Sequence, residues 1–332
     1  MTSSKMTAAR WPWAAVAAIA LAVAGCGSSS GQQESADARV GTIVTERGST
    51  AGPWDGVWVT SPNGDEPQQL RANPATDPEL VHPDWSPDGT TIVAARGPGT
   101  RPPTSISTTT ADGDAASTLA RCTAPCTQMI FPSWSPDAKS VVFAWSDERG
   151  RTALDVVDVA TRARRTVLRA ARGVAAEVAR WSPGGTDLVV GLTRQARAYE
   201  GPITGSALAI VDVENGRSRL LTDWKEFAAY PDWSPDDVIV FSTYDLGGFQ
   251  STDKASNLFT IRPDGSDRRA VTHYPPAGTR ATQPSWTPDG TSVVFTKVDG
   301  GADELRHVAF VRPDGSGLKE LPLEGTHPRL QP

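Results

Sequence analysis

The stretch HPDWSPDGTTIVAA, residues 82–95, is where the fold of this chain becomes legible. Pro87 has a fixed φ that suits the second position of a tight turn, and it has no N–H to leave unpaired. Asp88 can bond back to its own backbone, and Gly89 accepts a positive φ. The β-branched run that follows, Thr91-Ile92-Val93, reads as a buried strand. The segment is strand, reversal, strand.

Four more copies lie downstream: FPSWSPDAKSVVFA (131–144), VARWSPGGTDLVVG (178–191), YPDWSPDDVIVFS (230–242) and QPSWTPDGTSVVFT (283–296). Trp85, Trp134, Trp181, Trp233 and Trp286 recur at intervals of 49, 47, 52 and 53 residues, with no useful stretch of helical periodicity between them. Three turns depart from the pattern. Gly184 stands in the Asp position, and Ala138 and Asp237 stand in the Gly position, so those turns should be slightly less favourable.

A second marker follows: Asn63-Gly64, Asp112-Gly113, Asn215-Gly216, Asp264-Gly265 and Asp314-Gly315. Such dipeptides between apolar runs are the strongest short hairpin signals. In one repeat Ala160-Thr161 takes this place without a Gly. Each repeat thus reads as four strands joined by tight turns.

Six outer hairpins face only five Trp turns. The first hairpin, 41–47 with 57–59, lacks an inner strand. HPRLQP (327–332) aligns with HPDWSP (82–87) and is expected to supply it. Closing the ring removes the unpaired edges that invite aggregation. Residues 41–332 give about 49 per repeat, a propeller-blade length. The expected fold is all-β: one six-bladed β-propeller of four-stranded antiparallel blades, its first blade closed by the C-terminal segment, with the Trp residues packed between blades.

The Trp-Ser-Pro-Asp-Gly turns with their apolar strands, and the later Asp-Gly turns, resemble the TolB-type propeller repeat over essentially all of 41–332. The motif is specific to that propeller class and not to one function, since it also occurs beside serine peptidases and in small-polymer lyases. TolB carries an α/β domain before its propeller. Here only a short tether is expected, so contacts made through that domain do not transfer. The resemblance implies a binding scaffold, expected as a monomer, for an envelope protein or a cell-wall polymer.

The first residues point to export. Lys5 and Arg10 precede an apolar run over 11–23, too short to span a bilayer at about 20 residues but of signal-peptide length. The run ends in Ala24-Gly25-Cys26, which resembles a lipobox, in which the Cys is acylated and becomes the first residue. Ordinary secretory cleavage beside an incidental Cys is the competing reading. On this reading 1–25 is a signal peptide and 26–40, rich in Ser, Gly and Gln, is a flexible tether. Cys26 would anchor the protein to the outer face of the cytoplasmic membrane or the periplasmic side of the envelope. Export also favours a local Cys122–Cys126 disulfide over a metal site.

The whole chain carries 32 Lys and Arg against 38 Asp and Glu, net −6, or −8 once Lys5 and Arg10 are removed. That balance argues against a nucleic-acid partner, which calls for a basic face. The short turns should form one uniform face, and the long loops (97–105, 194–206, 244–257, 297–306) and links (222–230, 272–283) should collect on the other. Variable loops on a rigid scaffold are where binding usually lives. The candidate surface is Tyr199, Glu200, Tyr244, Asp245 and Phe249, with Trp224, Tyr230, His273 and Tyr274 nearer the channel; simple capping of the blades is the competing role.

No Gly-x-Ser-x-Gly elbow or His-Glu-x-x-His pair is present, and no room for a triad is expected beyond the propeller. A metal-assisted uronide lyase would need several ligands converging on the channel from only four histidines, His82, His273, His307 and His327. No catalytic residue, metal or cofactor is therefore expected, and the lyase stands as the alternative.

Overall fold

A computed structural model describes residues 41–48, 54–70, 79–97, 104–113, 115–195, 202–243, 256–275, 278–300 and 305–332. They form six four-stranded antiparallel sheets, each strand pairing with its sequence neighbour in five of them. In the first sheet, Thr326–Leu330 lies inside Ile43–Gly48, followed by Trp54–Thr60 and Gln68–Gln69. The register is Ile43 with Leu330, Val44 with Arg329 and Glu46 with Thr326, and the Gln331 N–H donates to the Thr42 carbonyl at 2.8 Å. The chain's last strand is thus the innermost strand of its first blade. The other inner strands are Glu79–Trp85, Cys126–Trp134, Val174–Trp181, Ala228–Trp233 and Arg280–Trp286, in blades 2 to 6.

The turn chemistry is visible in side-chain bonds. The Ser86 hydroxyl donates to Asp88 at 2.5 Å and accepts the Thr91 N–H at 2.9 Å, while Asp88 also accepts the Thr90 N–H at 3.1 Å. Ser135 with Asp137 and Thr287 with Asp289 repeat the pattern. Ala138, Asp237 and Arg162 reach φ of 56°, 61° and 63° at the departing turns, so non-glycine residues hold a left-handed conformation there. The surrounding strands over-determine these reversals. At Gly216, φ 71°, an added Cβ would come within 2.5 Å of the Val167 carbonyl, because this hairpin rests on the outer strand of blade 3.

Six apolar clusters occupy the six gaps between blades. Trp181, 8% exposed, packs with Ile130, Val142 and Val156 of the preceding blade. Trp134 meets Val93 and Ile106, Trp286 meets Val240 and Leu258, and Trp85 meets Val44 and Val57. Trp233 is only half-buried against the Val189 and Leu208 cluster. In blade 1 Leu330 takes the Trp position, against Val294 and Leu323 of blade 6. The repeat Trp is therefore the wedge between its own blade and the one before.

Candidate functional site

Each inner strand carries a bulge shortly before the Trp position, two and three residues before it in five blades and three and four before it in blade 4. A bulge sets two residues against one on the neighbouring strand and re-aims a side chain. Here the bulged residues are His82, Phe131, Tyr230, Gln283 and His327, with φ of 55°, 52°, 48°, 54° and 50°. Five non-glycine residues in the left-handed region at equivalent positions are a concentration of strain that a fold keeps only where the surroundings dictate it. Each precedes a proline. In blade 4 Ala179 replaces that proline, and Val178 escapes the left-handed conformation.

The bulged side chains meet over the axis. The Phe131 ring lies 3.8 Å from His82, 5.7 Å from His327 and 6.3 Å from Tyr230, and His327 lies 5.8 Å from Tyr230 and 5.1 Å from His82. The space left beside Tyr230, Gln283 and His327 holds about one water molecule.

A second layer comes from the residue just before each Trp position: Arg329, Asp84, Ser133, Arg180, Asp232 and Ser285 in blades 1 to 6. The triplet Arg-Asp-Ser occurs twice around the ring. Arg329 Nη1 lies 3.0 Å from Asp232 Oδ1 and donates to Ser285 Oγ at 2.6 Å, and its Nε lies 3.8 Å from Asp84 Oδ1. Arg180 Nε is 3.5 Å from Asp232 Oδ1. Asp84 and Asp232 also reach the next blade, accepting the N–H of Trp134 at 3.0 Å and of Trp286 at 2.7 Å. Burial pulls the Arg180 guanidinium down to about 10, against the raising effect of Asp84 and Asp232. This layer is a buried ion network crossing the axis and sewing blades together.

Glu46, on the second strand of blade 1, joins the upper layer. Its carboxylate accepts the His82 N–H, and its Oε2 lies 3.4 Å from His327 Nδ1. Burial alone would raise this carboxyl, but His327 and His82 outweigh it and hold the group at about 2. Burial drives the His82 imidazole down to about 3, against the pull of Glu46. One donor atom each from Glu46, His82 and His327 lies within 4.8 Å of the others. Glu177, in the blade 4 bulge, differs: burial, with no compensating partner, pushes its carboxyl up to about 7.

The structure places the sequence candidates unevenly. Cys26, Tyr199, Glu200, Tyr244, Asp245 and Phe249 lie outside the described residues. Trp224 sits in a short 3-10 turn, Trp224–Glu226, half-buried beneath the Arg194 guanidinium at 3.9 Å. His273 is exposed; Tyr274 is half-buried, its N–H donating to Asn257 Oδ1 at 2.7 Å. Tyr230 belongs to the channel plug and not to the loop surface. A disulfide joins Cys122 to Cys126, with Cα atoms 5.3 Å apart, in the link between blades 2 and 3.

A wide groove between blades 3 and 4 on the short-turn face is lined by Asp137, Asp158, Arg164, Arg165 and Trp181, among others. Its arginines already have partners, Arg164 in Asp155 and Arg165 in the Val213 carbonyl. The residues that sequence reasoning missed are Glu46 and the Arg-Asp-Ser layer. The second was readable from the repeats, as the position before each Trp.

Comparison with known proteins agrees with this geometry. TolB from Acinetobacter baumannii matches with a TM-score of 0.66 at 20% identity, over 88% of this chain and 67% of that one. A putative TolB from Agrobacterium tumefaciens gives 0.63 at 17% identity, over 88% of this chain and 99% of that one. An oligogalacturonate lyase in complex with manganese gives 0.55 at 16% identity, over 85% and 73%. At these identities the likeness shows the fold alone. A family model described as the TolB beta propeller domain matches residues 92–322. That match runs over more than half of the chain, and the protein belongs to the TolB β-propeller family.

Proposed function

We propose that this protein is an exported, lipid-anchored binding scaffold of the cell envelope, which recognises an envelope protein or a cell-wall polymer through the loop face of its propeller. The supporting observation is the sealed axis. Four rings and a buried ion network fill the channel, and the space beside them takes about one water. A ligand larger than that must sit on a face. The links carrying Trp224 and His273 run from outer to inner strands, on the side opposite the short turns, and rigid blades present them. Export rests on Lys5, Arg10 and the apolar run before Cys26, and membrane attachment on acylation of Cys26.

Photocrosslinking on intact cells, with the probe at Trp224 or His273, tests the reading. One repeated partner from both positions, lost when the probe moves to Asp137 on the short-turn face, is expected. Equal labelling from both faces would contradict it. Tyr199→Ala with Tyr244→Ala should weaken the same crosslink.

A second reading, metal-assisted cleavage of a uronide polymer, is favoured by the Glu46, His82 and His327 cluster and by the fold likeness to the manganese-bound lyase. The plug counts against it, because a polymer cannot reach those donors past Phe131 and Tyr230. Absence of unsaturated products from uronide polymers, with Zn2+ or Mn2+ supplied, is the expected result.

A further inference from the structure

We infer that Glu46, His82 and His327 form a site for one divalent transition-metal ion, Zn2+ by the chemistry of the donors, which staples the closing strand of the propeller to its first two blades. The inference is independent of what the loop face binds.

Charge comes first. Within the ion layer Arg180 and Arg329 balance Asp84 and Asp232. Glu46 is then an additional carboxylate beside that layer, 2% exposed. Its partners are the His82 N–H and His327 Nδ1, the latter at 3.4 Å. Buried charges in proteins are paired or coordinate metals.

Donor chemistry comes second. Nδ1 of His82 and both ring nitrogens of His327 are buried with no hydrogen-bond partner. Unpartnered polar atoms in a packed interior cost free energy, and one donor atom from each histidine clusters with one from the Glu46 carboxylate. Two imidazoles and a carboxylate suit zinc, at bond lengths of roughly 2.0–2.2 Å, with water in the fourth position. The donors now lie within 4.8 Å of one another, so small side-chain rotations bring them to an ion.

Topology gives the consequence. The ligands come from the second strand of blade 1, the inner strand of blade 2 and the C-terminal strand that completes blade 1. An ion held there joins three segments that are far apart in sequence. Because the unfolded chain has no such site, binding adds to folding stability.

The test uses the mature chain without a polyhistidine tag, stripped with a chelator and titrated calorimetrically with Zn2+. One ion per chain is expected, with Mg2+ and Ca2+ giving no heat. Zn2+ should raise the unfolding midpoint by roughly 5 °C and slow hydrogen exchange at residues 326–331. Glu46→Gln keeps an acceptor for the His82 N–H, so it should fold and lose Zn2+ affinity at least 100-fold; His327→Gln should do the same. No binding, binding unchanged in both folded variants, or binding without the midpoint rise would each overturn the assignment.

Discussion

Glu177 and Glu46 meet burial in opposite ways. Glu46 is held as a carboxylate by the histidines around it, whereas Glu177 has no such company and its carboxyl moves up to about 7. For Glu177 the folded chain binds the proton more tightly than the unfolded one. Its contribution is therefore most favourable at low pH, declines as pH rises from about 4.5 to about 7, and is constant above that. Glu177→Gln removes the penalty. The variant should be more stable than the native protein at pH 8, by on the order of 2 kcal/mol, and equal to it below about pH 4.5. Denaturant unfolding at the two pH values checks this, and an equal gain at both would contradict the cause assigned. The carboxylate chemistry of the channel was legible only in part. Asp84 and Asp232 precede repeat tryptophans, so the alignment that found the blades also names them. Glu46 lies on a second strand whose blade has no Trp turn, and no repeat register points to it.

At the level of the element, the inner strand does three jobs with three residues. The bulged residue plugs the axis, the residue before the Trp joins the ion layer, and the Trp wedges between blades. The Trp role and the turn chemistry were readable from sequence, because Pro, Asp and Gly act locally. The bulge was not readable, because it depends on six strands crowding around one axis. Trp181→Ala should cost about 3–5 kcal/mol, the range for truncating a large buried aromatic. Trp181→Leu should cost clearly less, since Leu330 fills the same position in blade 1. Chemical denaturation of both variants decides it, and equal losses would show that ring shape, and not apolar filling, sets the interface.

For the whole molecule, the fold is a closed chain of six contacts, and closure is made by the last residues. Arg329 carries both the strand pairing with Val44 and the ion pair to Asp232, so it couples closure to the channel. Arg329→Ala leaves Asp232 and Asp84 with less compensation and should destabilise the protein by about 3–5 kcal/mol, as for a broken buried pair. Its unfolding should remain a single transition if the ring is cooperative. The closure itself was legible because HPRLQP repeats HPDWSP. The identity of what the loop face binds was not, since the residues that would recognise it follow no repeat.

Hydrogen exchange at residues 326–331 in the native protein tests the central claim most directly. A closing strand paired with Ile43 and Val44 predicts protection comparable to the inner strand 126–134. Exchange as fast as in an unstructured tail would contradict the closed ring, and with it the sealed channel and the scaffold reading.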